Sequence, residues 1–343
     1  MSLELGVDGS NLLDDRRGMG RFARDVLQAA YDAADICVTL IAKRPRSPSM
    51  YSTVLERDVP AVFSAPAASR RALDVLWFPW NGMPFTHRAR SVVTIHDVFA
   101  FTAPHRNVVS RFREQQPVRR AVLKADSIVT VSRWSADEIT RVFAIARDRI
   151  RVIPHAPRPF WTPVVLPATT GGPYFLFVSG PEPRKNAPLL FAAFQEAFSR
   201  REAELVIAGT LSRSDRSMLD RTDIRFRHLH PDDEQLRALY IGALAVTVPS
   251  LAEGFGLVAI EAMACGTAVL ASNACALPEA CGEGAELLNP FDRAAWRAAL
   301  RKVFENATFR EELRGRAARR KAQFDSAAPA REMLALLRDS ARP

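Results

Sequence analysis

The chain has 343 residues, 48% of them hydrophobic and 25% charged, with a formal net charge of +9 at pH 7. That length and apolar content predict a globular protein of about two domains and exclude a disordered or fibrous chain. No run of about 18 apolar residues occurs, so no membrane-spanning helix is expected. The four cysteines, Cys37, Cys265, Cys275 and Cys281, form no CxxC pair, which points to buried thiols rather than disulfides or zinc.

The N-terminus, Met1 to Asp8, lacks the basic region and apolar stretch of a signal peptide, so a cytoplasmic protein, at most peripheral on a membrane, is expected. Leu3 to Val7 reads as a first strand and about Gly20 to Ala34 as a helix. Between them Gly18-Met19-Gly20-Arg21-Phe22-Ala23 matches G-x-G-x-x-A. The match departs from a dinucleotide fingerprint: a long loop precedes it, and the second strand, Ile36 to Ala42, ends in Lys43-Arg44 instead of an acidic residue. A glycine loop open to a ligand and a turn merely shaped by glycines both fit these residues.

Val75 to Phe78, Ser91 to Ile95, Ser127 to Val131 and Arg151 to Ile153 follow as apolar segments alternating with helical ones, the pattern of a doubly wound parallel sheet. His96-Asp97 stands at the carboxyl end of one such strand, the edge where ligands bind in these sheets. From His105 to Lys124 the chain is dense in base, with Glu114 opposing Arg106, Arg111, Arg113, Arg119, Arg120 and Lys124. Residues 1–165 hold 24 Lys and Arg against 16 Asp and Glu, and the remainder 23 against 22. The excess predicts an anionic partner for the first half, such as an anionic membrane surface or a phosphorylated acceptor, with a solvated helix face as the alternative.

The proline-rich stretch Pro154 to Pro163 reads as a linker. Tyr174 to Val178 opens the second domain. Ser179-Gly180-Pro181-Glu182-Pro183-Arg184-Lys185-Asn186 then forms a strand-to-helix loop carrying two adjacent cations, one of them a guanidinium fork, which suits a diphosphate. Glu204 to Gly209 and Ile224 to Leu229 are further strands, and Asp233 to Ala243 is a helix. His228, His230, Asp232 and Asp233 have no standard metal spacing, so no metal is expected.

The most informative stretch is Glu253-Gly254-Phe255-Gly256-Leu257-Val258-Ala259-Ile260-Glu261, following the buried run Ala243 to Ser250. It reads as strand, glycine turn and helix, and the exposed N–H groups and positive dipole end of such a helix suit a phosphate. Glu261, about two turns into an apolar helix, needs a partner, and sugar hydroxyls would supply one.

Together, Ser179 to Asn186, Leu236-x-x-Leu239-Tyr240, Pro249 to Leu257, Glu261 to Gly266 and Leu277-Pro278-Glu279 resemble the retaining glycosyltransferases of family four. Arg17 to Phe22, Ile95-His96-Asp97 and Val131-Ser132 agree in the first half. The resemblance implies the GT-B fold: two Rossmann-like domains facing across a cleft, with domains at 1–162 and 163–322 and a helix within 323–343 crossing back onto the first. It implies transfer of a hexose from a nucleotide sugar to a polysaccharide or lipid-linked glycan acceptor in surface-glycan assembly. GDP-mannose is favoured over UDP-sugars because Glu182 to Asn186 is similar to the variant in many mannosyltransferases.

Carried over position by position, the resemblance implies that Arg184 and Lys185 bind the donor diphosphate and Glu261 the ribose. Glu253, Gly254, Phe255, Gly256 and Leu257 would hold the transferred sugar, with Gly18 and Gly20 approaching the diphosphate and His96 meeting the sugar near the reacting centre. No cofactor, metal or nucleic acid is implied, and the oligomeric state is open. His228-Leu229-His230-Pro231, Val258, Ala268 and Asp325 depart from the family pattern, which puts the nucleotide preference in question. A catalytically silent nucleotide- or glycan-binding subunit of a transferase complex is the competing expectation, and an NAD-dependent dehydrogenase, resting only on Gly18-x-Gly20-x-x-Ala23, is a third.

Overall fold

The structure is a computed structural model that describes residues 2–15, 18–102, 108–165, 172–199 and 202–342. His105, Arg106 and Arg17 of the sequence motifs lie outside the described residues. The chain divides into two compact units, residues 1–155 with 327–343, and residues 156–326.

The first unit is built on seven strands: β1 (Leu3–Asp8), β2 (Ile36–Ala42), β3 (Val62–Ser64), β4 (Val75–Phe78), β5 (Arg90–Thr94), β6 (Ser127–Thr130) and β7 (Ile150–Val152). They lie in the order β3-β2-β1-β4-β5-β6-β7, and every ladder is parallel. Successive residues point to opposite faces: Trp77 and Val92 enter one core with Phe22, Val26 and Leu27, while Leu76, Phe78 and Val93 enter the other with Val118, Val122 and Ile139. Both faces are covered by helices, which is why the strands read as unbroken apolar runs.

The second unit repeats the plan with β8 (Tyr174–Ser179), β9 (Glu204–Gly209), β10 (Phe226–Leu229), β11 (Ala245–Val248), β12 (Val269–Ser272) and β13 (Glu286–Leu288). Their order is β10-β9-β8-β11-β12-β13, again all parallel. Phe175 and Phe177 face Leu190, Phe191 and Trp296, and Leu176 faces Tyr240 and Met263 on the other side. In each sheet the strand order reverses once, between β1 and β4 and between β8 and β11. Crevices for ligands open at such reversals, beyond the carboxyl ends of the strands.

Several expectations are corrected. Strands β3, β12 and β13 and the helices Pro48–Leu55, Arg293–Glu305 and Ala307–Lys321 have no counterpart among them. The first unit ends at residue 155 instead of 162, because Trp161 is buried beside Tyr240 in the second unit, ring centroids 5.5 Å apart. The last helix, Ala328–Ala341, falls within the expected 323–343 and has Pro329 in its first turn; a proline suits that position because its missing N–H is not needed there. The first helix is Gly18–Asp32, so Gly18 and Gly20 lie in its first turn, not in a loop before it. No helix among the described residues is long and apolar enough to cross a membrane.

The last helix belongs to the first unit. Met333, Leu334 and Leu337 are buried in the cluster that holds Phe22 and Trp77, and Arg338 makes two 2.8 Å hydrogen bonds to Asp35. Asp35 is solvent-exposed, so burial of the leucines carries this attachment and the ion pair adds little. Leu337→Ala is expected to lower the stability of the first unit by about 2–5 kcal/mol, and Arg338→Ala to leave it nearly unchanged. Urea unfolding followed by hydrogen exchange, which assigns the loss to one unit, checks both.

Candidate functional site

In the second unit, β8 and β11 are neighbours and parallel, so the loops that leave them emerge side by side. The first loop closes with a short turn at Pro183–Lys185 and a left-handed Asn186 that starts the helix Ala187–Ala197. The second loop runs from Pro249 to Gly256. Backbone and side-chain bonds fasten the two: Leu251 N–H donates to the Arg184 carbonyl at 2.7 Å, and Asn186 Nδ2 donates to the Pro249 carbonyl at 3.1 Å and the Pro290 carbonyl at 2.9 Å.

This junction brings together three of the charged residues predicted from sequence. Glu253 accepts from Arg184 at 3.0 Å through one oxygen, and from Lys185 Nζ and Ser250 Oγ, each at 2.8 Å, through the other. Arg184 also donates to the Ala252 carbonyl at 3.1 Å. Side-chain exposure is 23% for Arg184 and 13% each for Lys185 and Glu253. Burial pushes the Glu253 carboxyl upward, but the charges of Lys185 and Arg184 and the bonds from Lys185 and Ser250 outweigh it and hold the group at about 2. Glu253 is therefore ionised across the working range, an acceptor of hydrogen bonds and not a proton donor. Of these three side chains two are cationic and one is anionic.

Directly after it, Gly256 caps the helix Leu257–Ala264 with φ +115°, in the left-handed region, and a β-carbon there would stand 2.8 Å from Leu277 Cδ2. Only glycine meets both conditions. The N–H groups of Ala259 and Ile260 donate to the Gly256 carbonyl at 3.0 and 3.3 Å, and the two N–H groups before them precede any acceptor of the helix. On the same helix Glu261 is 4% exposed and accepts from the Tyr240 hydroxyl at 3.1 Å. Tyr240 is thus one partner of the carboxylate that the apolar helix demanded. Phe255 is buried, whereas Gly254 on the loop and Leu257 at the start of the helix are half-buried. Ser250, Asn186 and Tyr240 are the site residues that sequence reasoning passed over. Their signal was present, since each adjoins a motif already singled out.

The first unit holds His96, Gly18 and Gly20 separately from that cluster. Asp8 ends β1, and the loop after β4 carries Pro79, Trp80 and Asn81. Asn81 Oδ1 accepts from His96 N–H at 2.6 Å, and Trp80 Nε1 donates to the Asp8 carbonyl at 2.6 Å. The His96 ring is buried, with Nε2 3.0 Å from the Pro79 carbonyl, so that nitrogen carries the proton. His155 stacks on it at 5.6 Å, and Phe22 meets both rings edge-on. Burial lowers His96 to about 4; burial and then the His96 ring lower His155 to about 3. Gly20 leaves room for the backbone of the preceding loop: a β-carbon would stand 1.8 Å from the Asp15 carbonyl, which also accepts from Arg24 at 2.8 Å.

These imidazoles set a pH dependence. Both have folded values below their ordinary 6.5, so their stabilisation is present above about pH 6.5 and is lost as pH falls through 4 and 3. Asp8, raised by burial to about 6, acts oppositely: its stabilisation is full below 3.8 and is lost as pH rises through 6. From pH 7 to pH 5 the first unit is expected to lose about 2 kcal/mol net. His155→Phe, which keeps a ring against His96, is expected to remove most of that loss, as urea midpoints at the two pH values would show.

Two family models match the chain in succession: "Glycosyltransferase Family 4" over residues 16–156 and "Glycosyl transferases group 1" over residues 163–320. Among curated proteins, O-antigen chain mannosyltransferase B of Escherichia coli is 30% identical over 254 residues, 68% of this chain and 66% of that protein. O-antigen chain mannosyltransferase RfbU of Salmonella typhimurium is 28% identical over 62% of this chain and 60% of its own. The chain thus spans slightly less than two thirds of the length of these two relatives. Among solved structures, HepE from Anabaena in complex with UDP-glucose has a TM-score of 0.74 at 15% identity, covering 98% of this chain and 99% of that one. WaaG, a glycosyltransferase involved in lipopolysaccharide biosynthesis, has a TM-score of 0.72 at 14% identity over 97% and 99%. At these identities the structures establish the GT-B fold, two Rossmann-like parallel-sheet domains, and the family models establish the lineage: the chain belongs to the family-four glycosyltransferases.

Proposed function

We propose that this protein transfers a hexose, with retention of anomeric configuration and without a metal ion, from a nucleotide sugar to a polysaccharide or lipid-linked glycan acceptor in surface-glycan biosynthesis. GDP-mannose is the favoured donor and a UDP-sugar the second choice. The observation that carries the reading is the net-positive cluster of Arg184, Lys185 and Glu253 beside the Gly256-capped helix at the strand-order reversal of the second sheet. The mannosyl donor is supported by the relatives, which include O-antigen chain mannosyltransferases and an α-(1→4)-mannosyltransferase of Mycolicibacterium hassiacum, 31% identical over 55% of this chain.

On this reading the diphosphate takes the place of Glu253 on Arg184 and Lys185, with its remaining charge toward the first turn of the helix. Charge that develops on the diphosphate as the glycosidic bond breaks meets fixed cations and a helix dipole, the service a divalent ion performs elsewhere. Glu253, displaced but still ionised, turns its two oxygens to the hydroxyls of the sugar. Glu261 accepts from the ribose hydroxyls. His96, neutral at the working pH, serves as a hydrogen-bonding group near the sugar instead of a charge. No carboxylate is assigned as a nucleophile, so acceptor attack and diphosphate departure share one face of the sugar.

Lys185→Ala and Glu261→Ala are each expected to weaken nucleoside-diphosphate binding by about 2–5 kcal/mol, since each leaves a buried charge or hydroxyl unmatched. Calorimetric titration with GDP and UDP measures it, and wild-type affinity in both variants would sink the proposal. Glu253→Gln has a different expected signature. It removes the carboxylate that competes for the two cations, so nucleoside diphosphate should bind at least as tightly as to wild type, while kcat/KM for transfer falls by about a hundredfold. Parallel loss of nucleotide binding and transfer would show instead that Glu253 only supports the fold.

A further inference from the structure

Glu261 is the one carboxylate of the helix Leu257–Ala264, and that helix fixes its backbone without aiming its charge. The last torsion of a glutamate is broad and roughly two-fold, so packing of the helix alone leaves the plane of the carboxylate unset. A second group must hold one of its oxygens before the other can be presented in a fixed direction. Tyr240 is such a group: its hydroxyl donates to Glu261 Oε2 at 3.1 Å in a buried contact. Tyr240 is itself fixed, at its backbone and at its ring. Its helix, Asp233–Gly242, starts in a capping box, where Asp232 accepts from Gln235 N–H at 2.8 Å and the Gln235 side chain accepts from Asp232 N–H at 3.0 Å. Its carbonyl accepts from Thr267 Oγ1 at 2.7 Å, and its ring meets the buried Trp161 ring edge-on.

The choice of acceptor is informative. A tyrosine hydroxyl taken out of water needs a partner, and a backbone carbonyl is enough: Tyr174, in the same unit, donates to the Leu239 carbonyl at 2.9 Å. Tyr240, the residue after Leu239, sends its hydroxyl to a carboxylate instead. A carbonyl would satisfy the tyrosine at less cost, because a buried carboxylate loses far more hydration than an amide. The contact therefore serves the carboxylate more than the tyrosine. The neighbouring Cys265 thiol is pushed up to about 12 by burial and then by the Glu261 charge, so it stays protonated and adds no second anion there.

The geometry points to Tyr240 as a positioning residue: by holding Oε2 it sets the plane in which Glu261 accepts hydroxyls, and with it the preference of the second unit for a ribonucleoside diphosphate over the deoxyribo form. The inference rests on the reading of Glu261 as the group that accepts from the ribose. A carboxylate held at one oxygen presents its remaining lone pairs in a fixed plane, which suits neighbouring hydroxyls that are themselves fixed on a ring. Tyr240 does not touch the nucleotide and takes no part in proton transfer; it acts through Glu261.

The test is calorimetric titration of the full chain with GDP, UDP and their deoxyribo counterparts, with urea midpoints measured alongside. The wild type is expected to prefer the ribo forms by about tenfold or more, the worth of a hydrogen bond to a charged group. Tyr240→Phe keeps the ring against Trp161 and is expected to lose most of that preference through weaker binding of the ribo forms, with affinity for the deoxyribo forms unchanged. Glu261→Ala is expected to lose all of it, and Tyr240→Phe added to Glu261→Ala to change the preference no further, as follows when one residue acts through the other. A tyrosine that only supports the fold would lower the affinity for every nucleotide alike together with the urea midpoint, and that result overturns the inference. A ribo preference retained in Tyr240→Phe overturns it too and leaves the ribose reading of Glu261 standing. A wild type that binds ribo and deoxyribo forms equally overturns both.

Discussion

The candidate site of the second unit is arranged around one electrostatic contact, in which Arg184 and Lys185, both largely out of water, meet the Glu253 carboxylate. Removing one partner of such a group strands the others, so the three residues stand or fall together. Their meeting needs nothing unusual in the two loops. It needs β8 and β11 to be parallel neighbours, so that the loops after them leave from the same edge. The reversal of strand order at that pair also leaves the edge open, because the helices that follow the two strands go to opposite faces of the sheet.

The first unit makes the opposite use of burial. Its reversal point, between β1 and β4, holds uncharged polar groups: His96 and His155 are kept neutral, and Asp8 is pushed toward neutrality. Backbone contacts orient them, with Pro79 fixing the His96 proton and Asn81 fixing the backbone from which the ring projects. One unit therefore presents fixed charge and the other oriented hydrogen-bonding groups.

Much of this architecture was legible before the structure. Long parallel strands show as apolar runs since both faces are buried, and β1, β2, β4, β8 and β9 were found within a residue or so of their ends. β3 and β13 were not, because both are only half-buried along their length and show no such run. Gly18 and Gly20 fitted either a ligand loop or a turn shaped by glycine; in the structure Gly20 serves the close approach of the Asp15 carbonyl, a contact between segments that spacing alone does not reveal. Glu261 was expected to need a hydroxyl partner, and the structure supplies one from Tyr240, twenty-one positions earlier in the chain.

By itself the sequence determined the two-sheet plan and the family and singled out the charged residues of the candidate site, because periodicity, glycine placement and motif order are local properties written along the chain. Only the tertiary structure decided which of those residues meet. That Glu253 sits on Arg184 and Lys185, that His155 stacks on His96, and that Tyr240 reaches Glu261 are consequences of strand order and helix seating. Each joins segments far apart in the chain or depends on which side of a helix the core has already claimed, and no local pattern encodes that.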